Sequence, residues 1–337
     1  KLMLAIKVDD VPSAFSSVGK PALLEYKLDG FRVSIHKKKD TLWLFTRRMG
    51  DITLQFQEVK HILLDNIHCS ECILDAEFIG YDSKTKKYLP FQSISQRIKR
   101  KYDIQRVAKR FPVEINIFDI LHHNGKDLFY ETQEKRRLLL EHLVTSVPYR
   151  IRLTEKCLTG DEKEALQFFH QSLKAGNEGI IFKKLLGHYQ PGKRVEGWVK
   201  LKTTLEPLDL AIIGAEWGTG KRVGVFSSFV LGCRHKDTFL ECGMLGTGIK
   251  EKSEGVSFQE LTSLLKPYVR SEQGRKVIIA PHIVLEVRYE EIQKSPTNSS
   301  GYALRFPRLS RLRHMEKSAS DANTLHDLIR LYKHQRK

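Results

Sequence analysis

The sequence predicts an α+β chain in two parts: a mixed domain of antiparallel sheets with flanking helices over residues 1–205, then a small β-barrel with a closing helix over residues 206–337. Three observations predict it. Many short segments alternate apolar and polar residues with the period of a half-buried strand, and helical spacing is confined to a few stretches. At 337 residues the chain is too long for one ordinary domain and suits two. Near Thr203–Pro207 the texture changes to short strand-like runs punctuated by Gly218, Gly220, Gly224, Gly232, Gly243, Gly246 and Gly248.

In order, residues 22–28 and 31–36 alternate on either side of Asp29-Gly30, which reads as strand, tight turn, strand. Residues 42–46, 73–81 and 113–121 read as further strands. Residues 135–143 and 162–175 have helical spacing. The second of these opens at Thr159-Gly160-Asp161, a cap region, and closes at Gly176-Asn177, a stop signal. Residues 179–184 and 197–202 are short strands flanking a Pro-Gly loop. Beyond the boundary, residues 210–217, 225–233, 238–245 and 284–289 read as strands and 261–269 as a short helix. Residues 321–332 place Ala322, Leu325, Leu328, Ile329 and Tyr332 along an amphipathic helix. A five-stranded barrel of the OB type suits strands this short and this rich in glycine.

Composition narrows the function classes. Hydrophobic residues make up 41% and charged residues 29%, which supports real cores and excludes a disordered chain. No apolar run approaches the ~18 residues of a membrane span, and the opening KLMLAIKVDD has no apolar run of signal-peptide length. Five cysteines, an odd number, point to a reducing intracellular setting, cytoplasm or nucleoid, or the nucleus in a eukaryote. Cys69-x-x-Cys72, near His61 and His68, lacks the second half of a zinc site and reads as two thiols at the start of a buried strand. Lys and Arg total 57 against 40 Asp and Glu, an excess of 17 that favours a polyanionic partner. The charges cluster. Arg97, Lys99, Arg100, Lys101, Arg106, Lys109 and Arg110 face a single acid, Asp103, and a second basic stretch begins at Arg305. Two separated patches suit a long, thin anion bound through its phosphates.

Lys27 closes an alternating strand and precedes Asp29-Gly30, so its amine is placed where a strand breaks into a turn. It is a candidate nucleophile, though on these residues alone an ordinary edge lysine before a hairpin is the better reading. Glu77 interrupts an apolar strand, where an unpaired carboxylate is costly, and that marks it as purposeful. Lys200 and Lys202 alternate on one strand and share a face. The G-x-x-x-x-G-K run from Gly187 to Lys193 mimics a phosphate-binding loop, but Arg194 replaces the required Ser/Thr and Pro191 spoils the cradle.

Lys27-x-Asp29-Gly30-x-Arg32 resembles the signature of the covalent nucleotidyltransferases, and within them the ATP-dependent DNA ligases of the archaeal and eukaryotic type. Phe45-Thr46-Arg47-Arg48 with Asp51, residues 74–78, Phe118-Asp119, residues 178–183, residues 198–202 and Arg305-Phe306-Pro307-Arg308 resemble the family's further motifs, in order and over essentially the whole chain. The resemblance implies an adenylation domain over 1–205 and an OB-fold domain over 206–337. It implies sealing of nicks in duplex DNA through a Lys27-AMP intermediate, AMP transfer to the 5′-phosphate and attack by the 3′-OH.

The roles it implies fall residue by residue. Glu25 would accept from the adenine amino group, Phe118 would stack on the base, and Arg32 and Glu77 would hold the ribose. Arg47, with the register against Arg48 open by one, would contact the phosphate or the nick end. Arg194, Lys200 and Lys202 would contact ATP, with the two lysines also lowering the pKa of Lys27. Glu77 and Glu178 would hold Mg²⁺, and Arg305 and Arg308 would act from the barrel. Arg311-Leu312-Arg313 is followed by His314-Met315-Glu316-Lys317, one residue longer than the family pattern, which leaves the roles of Glu316 and Lys317 open. Implied partners are ATP, Mg²⁺ and nicked double-stranded DNA, with no membrane, a monomeric state, and a sliding clamp open as a further partner. With 26 residues before Lys27, the chain is expected to be either the catalytic core of a longer ligase or a minimal two-domain one. An RNA ligase, an mRNA-capping guanylyltransferase and a non-catalytic nucleic-acid-binding module are the alternatives.

Overall fold

The computed structural model describes residues 2–89, 91–98, 100, 102–203, 205–251 and 256–335. The chain divides into two units, Lys1–Thr203 and Thr204–Lys337.

The first unit runs β1 (Leu4–Val8), α1 (Val11–Val18), β2 (Ala22–Lys27), β3 (Phe31–Lys38), β4 (Thr41–Thr46), α2 (Val59–Asn66), β5 (Glu71–Gly80), α3 (Phe91–Ile98), α4 (Ile104–Arg110), β6 (Val113–His123), β7 (Lys126–Asp127), α5 (Gln133–Leu143), β8 (Ile151–Leu153), β9 (Lys156–Thr159), α6 (Glu162–Lys174), β10 (Gly179–Lys184) and β11 (Arg194–Lys202). Helices α1, α5 and α6 begin on side-chain caps. Asp10 accepts from the Ser13 amide, Thr132 from Lys135, and Asp161 from Lys163 and Glu164.

Two sheets form, ordered β1-β11-β10-β2-β9 and β4-β3-β5-β6-β7, with β8 beside β6. Both are antiparallel except at β1–β11 and β6–β8. Strand alternation sorts each sheet into two faces. On the first sheet Leu24, Ile180, Phe182, Val199 and Leu201 pack with Val11, Phe15 and Val18 of α1 and Phe168 and Phe169 of α6. On the second, Val33, Ile35, Leu74, Ala76, Phe78, Ile115 and Ile117 pack with Val59 and Leu63 of α2 and Leu140 and Leu143 of α5. The intervening residues take the opposite faces: Glu25, Lys27, Lys183, Trp198 and Lys200 on one sheet, Arg32, Asp75 and Glu77 on the other. The helices thus cover the apolar faces, and a charged slot is left for chemistry.

The second unit contains β12 (Leu208–Trp217), β13 (Phe226–His235), β14 (Thr238–Leu245), α7 (Phe258–Leu265), β15 (Val269–Gln273), β16 (Lys276–Ile279), β17 (Val284–Arg288), β18 (Glu291–Lys294), β19 (Tyr302–Arg305), β20 (Arg308–Leu312) and α8 (Leu325–His334). β12 pairs β13 along one edge and divides its other edge between β17 and β16. β17 pairs β20, and a parallel bridge from Thr247 to Arg308 ties β20 back to the end of β14. The circuit β12-β13-β14-β20-β17 closes the expected OB barrel. The β15–β16 and β18–β19 pairings are additions to it. Phe226, Phe229, Leu231, Leu285 and Val287 fill it together with Phe258 of α7 and Leu328 of α8.

The structure differs from the sequence expectation in several places. The closing helix starts at Leu325, where Thr324 and Asp327 form a reciprocal cap, and not at Asp321. The basic run near 97–110 forms the end of α3 and then α4, with Lys99 and Lys101 outside the described residues. α1, α2 and β1 gave no recognised sequence signal. No helix among the described residues is long and apolar enough to cross a membrane.

Gly179 joins the two halves of the first sheet at its tightest point. Its φ is +146°, and a Cβ there would lie 2.1 Å from the Leu201 carbonyl oxygen. Gly125 has φ +84° but nothing within 4 Å of a Cβ. Gly125→Ala is expected to cost about 1 kcal/mol for its left-handed backbone alone, and Gly179→Ala about 3 kcal/mol or more from strain and overlap together. Urea unfolding midpoints of the two variants check the difference.

Candidate active site

The sheet register builds the centre of the site. Gly179 on β10 stands opposite Lys27 on β2 and opposite Lys202 on β11, so both lysines flank one backbone position. Glu178 immediately precedes it. Its amide donates to the Lys27 carbonyl at 2.9 Å, and its carboxylate lies 2.9 Å from Lys27 Nζ and 2.5 Å from Lys202 Nζ. A single carboxylate therefore bridges two ammonium groups. Burial works to raise the pKa of Glu178, but Lys27 and Lys202 outweigh it and hold it at about 2. Burial likewise works to lower Lys27, and Glu178, Glu77 and Asp29 outweigh it, leaving the amine above its ordinary value. This corrects the expectation that Lys200 and Lys202 depress Lys27: the acid between Lys27 and Lys202 dominates. Across the slot, burial pushes Glu77 up to about 8, only partly offset by Lys27 and Arg32.

Gly30 lets the turn after Lys27 close against β5. A Cβ there would lie 2.3 Å from the Phe78 carbonyl oxygen and 3.0 Å from Glu77 Cγ. The same contact brings the turn beside Glu77.

Arg32 is anchored more firmly than a free ligand contact requires. It grips Asp75 with Nε at 2.7 Å and with Nη2, and it donates from Nη1 to the Met3 carbonyl at 2.6 Å. Asp75, fully buried, also accepts from the Tyr189 hydroxyl at 2.9 Å, which in turn accepts from the Met3 amide. The guanidinium lies over the rings of Phe118 and Trp198, at 5.3 and 5.6 Å from their centroids.

Glu25 is also buried. Its two oxygens are taken by Arg137 Nη1 at 2.7 Å and Lys183 Nζ at 2.6 Å. Lys183 donates in addition to the Phe118 carbonyl at 3.0 Å.

These groups surround a half-open cleft of about 200 Å³ with Leu4, Ala5 and Trp198 among its walls. Of the residues singled out in the sequence, Glu25, Lys27, Arg32, Arg47, Glu77, Phe118, Arg194 and Lys200 line it, and Lys202 and Glu178 reach it through Lys27. Arg47, not Arg48, is the one of the pair on the cleft. Sequence reasoning missed Arg137, Asp75, Tyr189 and the β1 wall. Asp75 and Lys183 lie inside quoted motifs, and a charged residue in an apolar strand was the available signal. Arg137 had none, because helix α5 meets β2 only in three dimensions.

The barrel residues stand in the second unit. Arg305 Nη1 lies 3.2 Å from Glu291, and Arg308 is exposed on β20. Arg313 meets Asp209 at 3.4 Å, Glu286 at 3.2 Å and Glu316 at 2.9 Å, and Lys317 meets Asp209 at 2.5 Å. Glu316 and Lys317 are therefore parts of one ion-pair network.

Helix-backed sheets around a lysine-centred cleft, followed by a five-stranded barrel, define a nucleotidyltransferase domain joined to an OB-fold domain. Residues 2–202 match the family model described as the ATP dependent DNA ligase domain, and residues 222–316 match the ATP dependent DNA ligase C terminal region. The chain belongs to the ATP-dependent DNA ligase family. It is 49% identical to a DNA ligase of Nanoarchaeum equitans over all of this chain and 60% of that protein. It is 38% identical to a DNA ligase of Methanopyrus kandleri over 98% of this chain and 59% of that protein. The chain thus spans about three fifths of the length of these curated relatives. Among solved structures, Pmar-Lig_Pre aligns with TM-score 0.69 at 19% identity, covering 93% of this chain and 67% of that one. A Lig E DNA ligase aligns with TM-score 0.58 at 16% identity, covering 92% and 99%. Both show likeness of fold.

The two carboxylates are expected to move stability in opposite directions with pH. Glu178 is lowered from 4.5 to about 2, so its stabilisation is present above pH 4.5 and is lost as pH falls toward 2. Its upper limit is about 3 kcal/mol at 1.36 kcal/mol per unit, less for solvent screening. Glu77 is raised from 4.5 to about 8, so its contribution is full below pH 4.5 and is lost as pH rises through 8. Unfolding free energies measured from pH 3 to 9 should show Glu178→Gln losing the acid slope, and Glu77→Gln gaining on the wild type above pH 5. Curves parallel to wild type would contradict both assignments.

Proposed function

We propose that the chain is the catalytic core of an ATP-dependent DNA ligase that seals nicks in duplex DNA. The observation that carries this reading is Lys27, paired to Glu178 at 2.9 Å, in a cleft whose other walls supply Lys200, Arg194 and Glu77. Three phosphoryl transfers follow. The Lys27 amine attacks the ATP α-phosphorus; an N–P bond forms, the bond to the β-phosphate oxygen breaks and pyrophosphate leaves. A 5′-phosphate oxygen of the nick then takes the AMP, and the N–P bond breaks. The 3′-OH attacks the activated 5′-phosphorus, gives up its proton and displaces AMP. Such transfers depend mainly on placement and on neutralised charge.

Each side chain has a part. Glu25 accepts from the adenine amino group and Phe118 stacks on the base. Arg32 and Glu77 hold the ribose. Arg47 meets the phosphate at the nick, and Arg194, Lys200 and Lys202 take the ATP phosphates. Lys27 must shed a proton before it attacks, so loosening of its Glu178 contact is the activating event. Glu77 and Glu178 are hard oxygen donors beside the nucleophile and fit one Mg²⁺, which when bound would neutralise phosphate charge. Among the described residues no group of three or more His, Cys, Asp and Glu is placed to hold a metal, so substrate phosphates would complete the shell. Arg305 and Arg308 act from the barrel on nucleotide or DNA. We read the chain as an intracellular monomer, with a sliding clamp as a candidate further partner.

Incubation with Mg²⁺ and α-labelled ATP or GTP, followed by a denaturing gel, tests this. A covalent band from ATP is expected, absent in Lys27→Ala, and Lys202→Ala should form it about a hundredfold more slowly. A band from GTP alone would favour a capping guanylyltransferase. No band from folded protein free of bound AMP would overturn the enzyme reading.

A further inference from the structure

Glu25 is an expensive residue to place where it is. Its strand neighbours Leu24 and Tyr26 pack on the apolar side, and only 2% of its surface is exposed. A buried ion pair is weak support for stability, because desolvation offsets much of the attraction. Here three charges are buried together. Lys183 approaches one carboxylate oxygen from β10, and Arg137 approaches the other from α5. Arg137 is itself fixed on its remaining nitrogens, with Nη2 donating to the Thr154 carbonyl at 3.0 Å and Nε to Glu141 at 2.8 Å. Its fork cannot turn away without leaving those partners. Lys183 is equally committed, to the Phe118 carbonyl and over the Trp198 ring at 4.5 Å.

The consequence is chemical. Each Glu25 oxygen already accepts from a fixed cation, so what the side chain presents is an acceptor held in one orientation. Glu25 also lines the cleft, and an oxygen with one partner has a further lone pair to offer. A purine carrying a 6-amino group supplies the donor that this lone pair requires. A purine with a 6-oxo group sets one acceptor against another, and neither is satisfied. A freely turning carboxyl would blur this distinction, since its acceptor oxygens would no longer be fixed at one edge of the base.

We propose that Arg137, with Lys183, is the purine-selecting element of the cleft: a positioning residue that holds Glu25 as an aimed acceptor, so that 6-amino nucleotides are taken and 6-oxo nucleotides refused. The proposal rests on the reading that Lys27 takes a nucleotide from this cleft. It adds a helix α5 residue that touches no nucleotide and acts through Glu25.

Initial rates of covalent adduct formation with ATP and with GTP, over a range of concentrations, test it in the wild type, Arg137→Gln and Arg137→Lys. Arg137→Gln should raise KM for ATP about tenfold with kcat nearly unchanged, and should lower the ATP:GTP ratio of kcat/KM about tenfold or more. Arg137→Lys, which keeps the charge, should recover most of that ratio. An unchanged ratio in a folded Arg137→Gln variant, or equal losses in the Lys and Gln variants, would overturn the proposal and leave Arg137 a structural support. Should Arg137→Gln fail to fold, Lys183→Gln decides by the same ratio. No adduct from the wild type with either nucleotide would overturn the underlying reading and this one with it; an ATP adduct with unaltered selectivity in the variants would overturn this one alone.

Discussion

The bridge Lys27–Glu178–Lys202 is the interaction on which the rest of the site depends. It exists because Gly179 permits three strands to meet without a side chain at the crossing, so that residues on β2 and β11 reach the carboxylate that precedes β10. The amine proposed as nucleophile is consequently held as an ammonium, in a defined place, before any substrate arrives. A reactive lysine needs both placement and a free lone pair. The resting structure supplies the first and withholds the second. That division gives a physical meaning to nucleotide binding: arrival of phosphates has to redistribute the charge on Glu178 before Lys27 can act.

The slot around this bridge follows one pattern. Several functional groups around it are fixed by neighbours that are given no ligand of their own. Arg32 is fixed by Asp75 and Tyr189, Glu25 by Arg137 and Lys183, and the turn beside Glu77 by the glycine at position 30. Desolvated pairs of this kind contribute little net stability, since the cost of burial is close to the attraction gained. What they contribute is geometry, and phosphoryl transfer is a reaction in which geometry and fixed charge are most of the catalysis. The apolar faces of both sheets, backed by α1, α2, α5 and α6, carry the folding energy, and the charged faces are left to the chemistry.

Much of this was legible in the sequence, for a specific reason. Strand alternation is local, so Lys200 and Lys202 could be assigned to a shared face from spacing alone. A charged residue inside an apolar strand, such as Glu77, is visible because it breaks a pattern. Illegible were contacts set by register between distant strands. Nothing in the spacing of Lys27 and Glu178 says that they touch, so the direction of the Lys27 shift was misjudged: two nearby lysines suggested depression, and the intervening acid reversed it. Arg137 was illegible for the same reason, on an amphipathic helix that reads as any surface helix does. The segments α1, α2 and β1 were missed because short elements with mixed periodicity are decided by tertiary packing more than by propensity.

The measurement that tests this account most directly is the titration of Lys27 itself, followed by the NMR shift of its ¹³Cε in protein carrying labelled lysine, with Lys27→Arg used to assign the signal. The account predicts that Lys27 in the nucleotide-free protein stays protonated beyond the ordinary lysine range, and that Glu178→Gln brings its titration down, because burial then acts with less opposition. A wild-type Lys27 that titrates well below an ordinary lysine, unaffected by Glu178→Gln, would contradict the claim that this carboxylate governs the nucleophile.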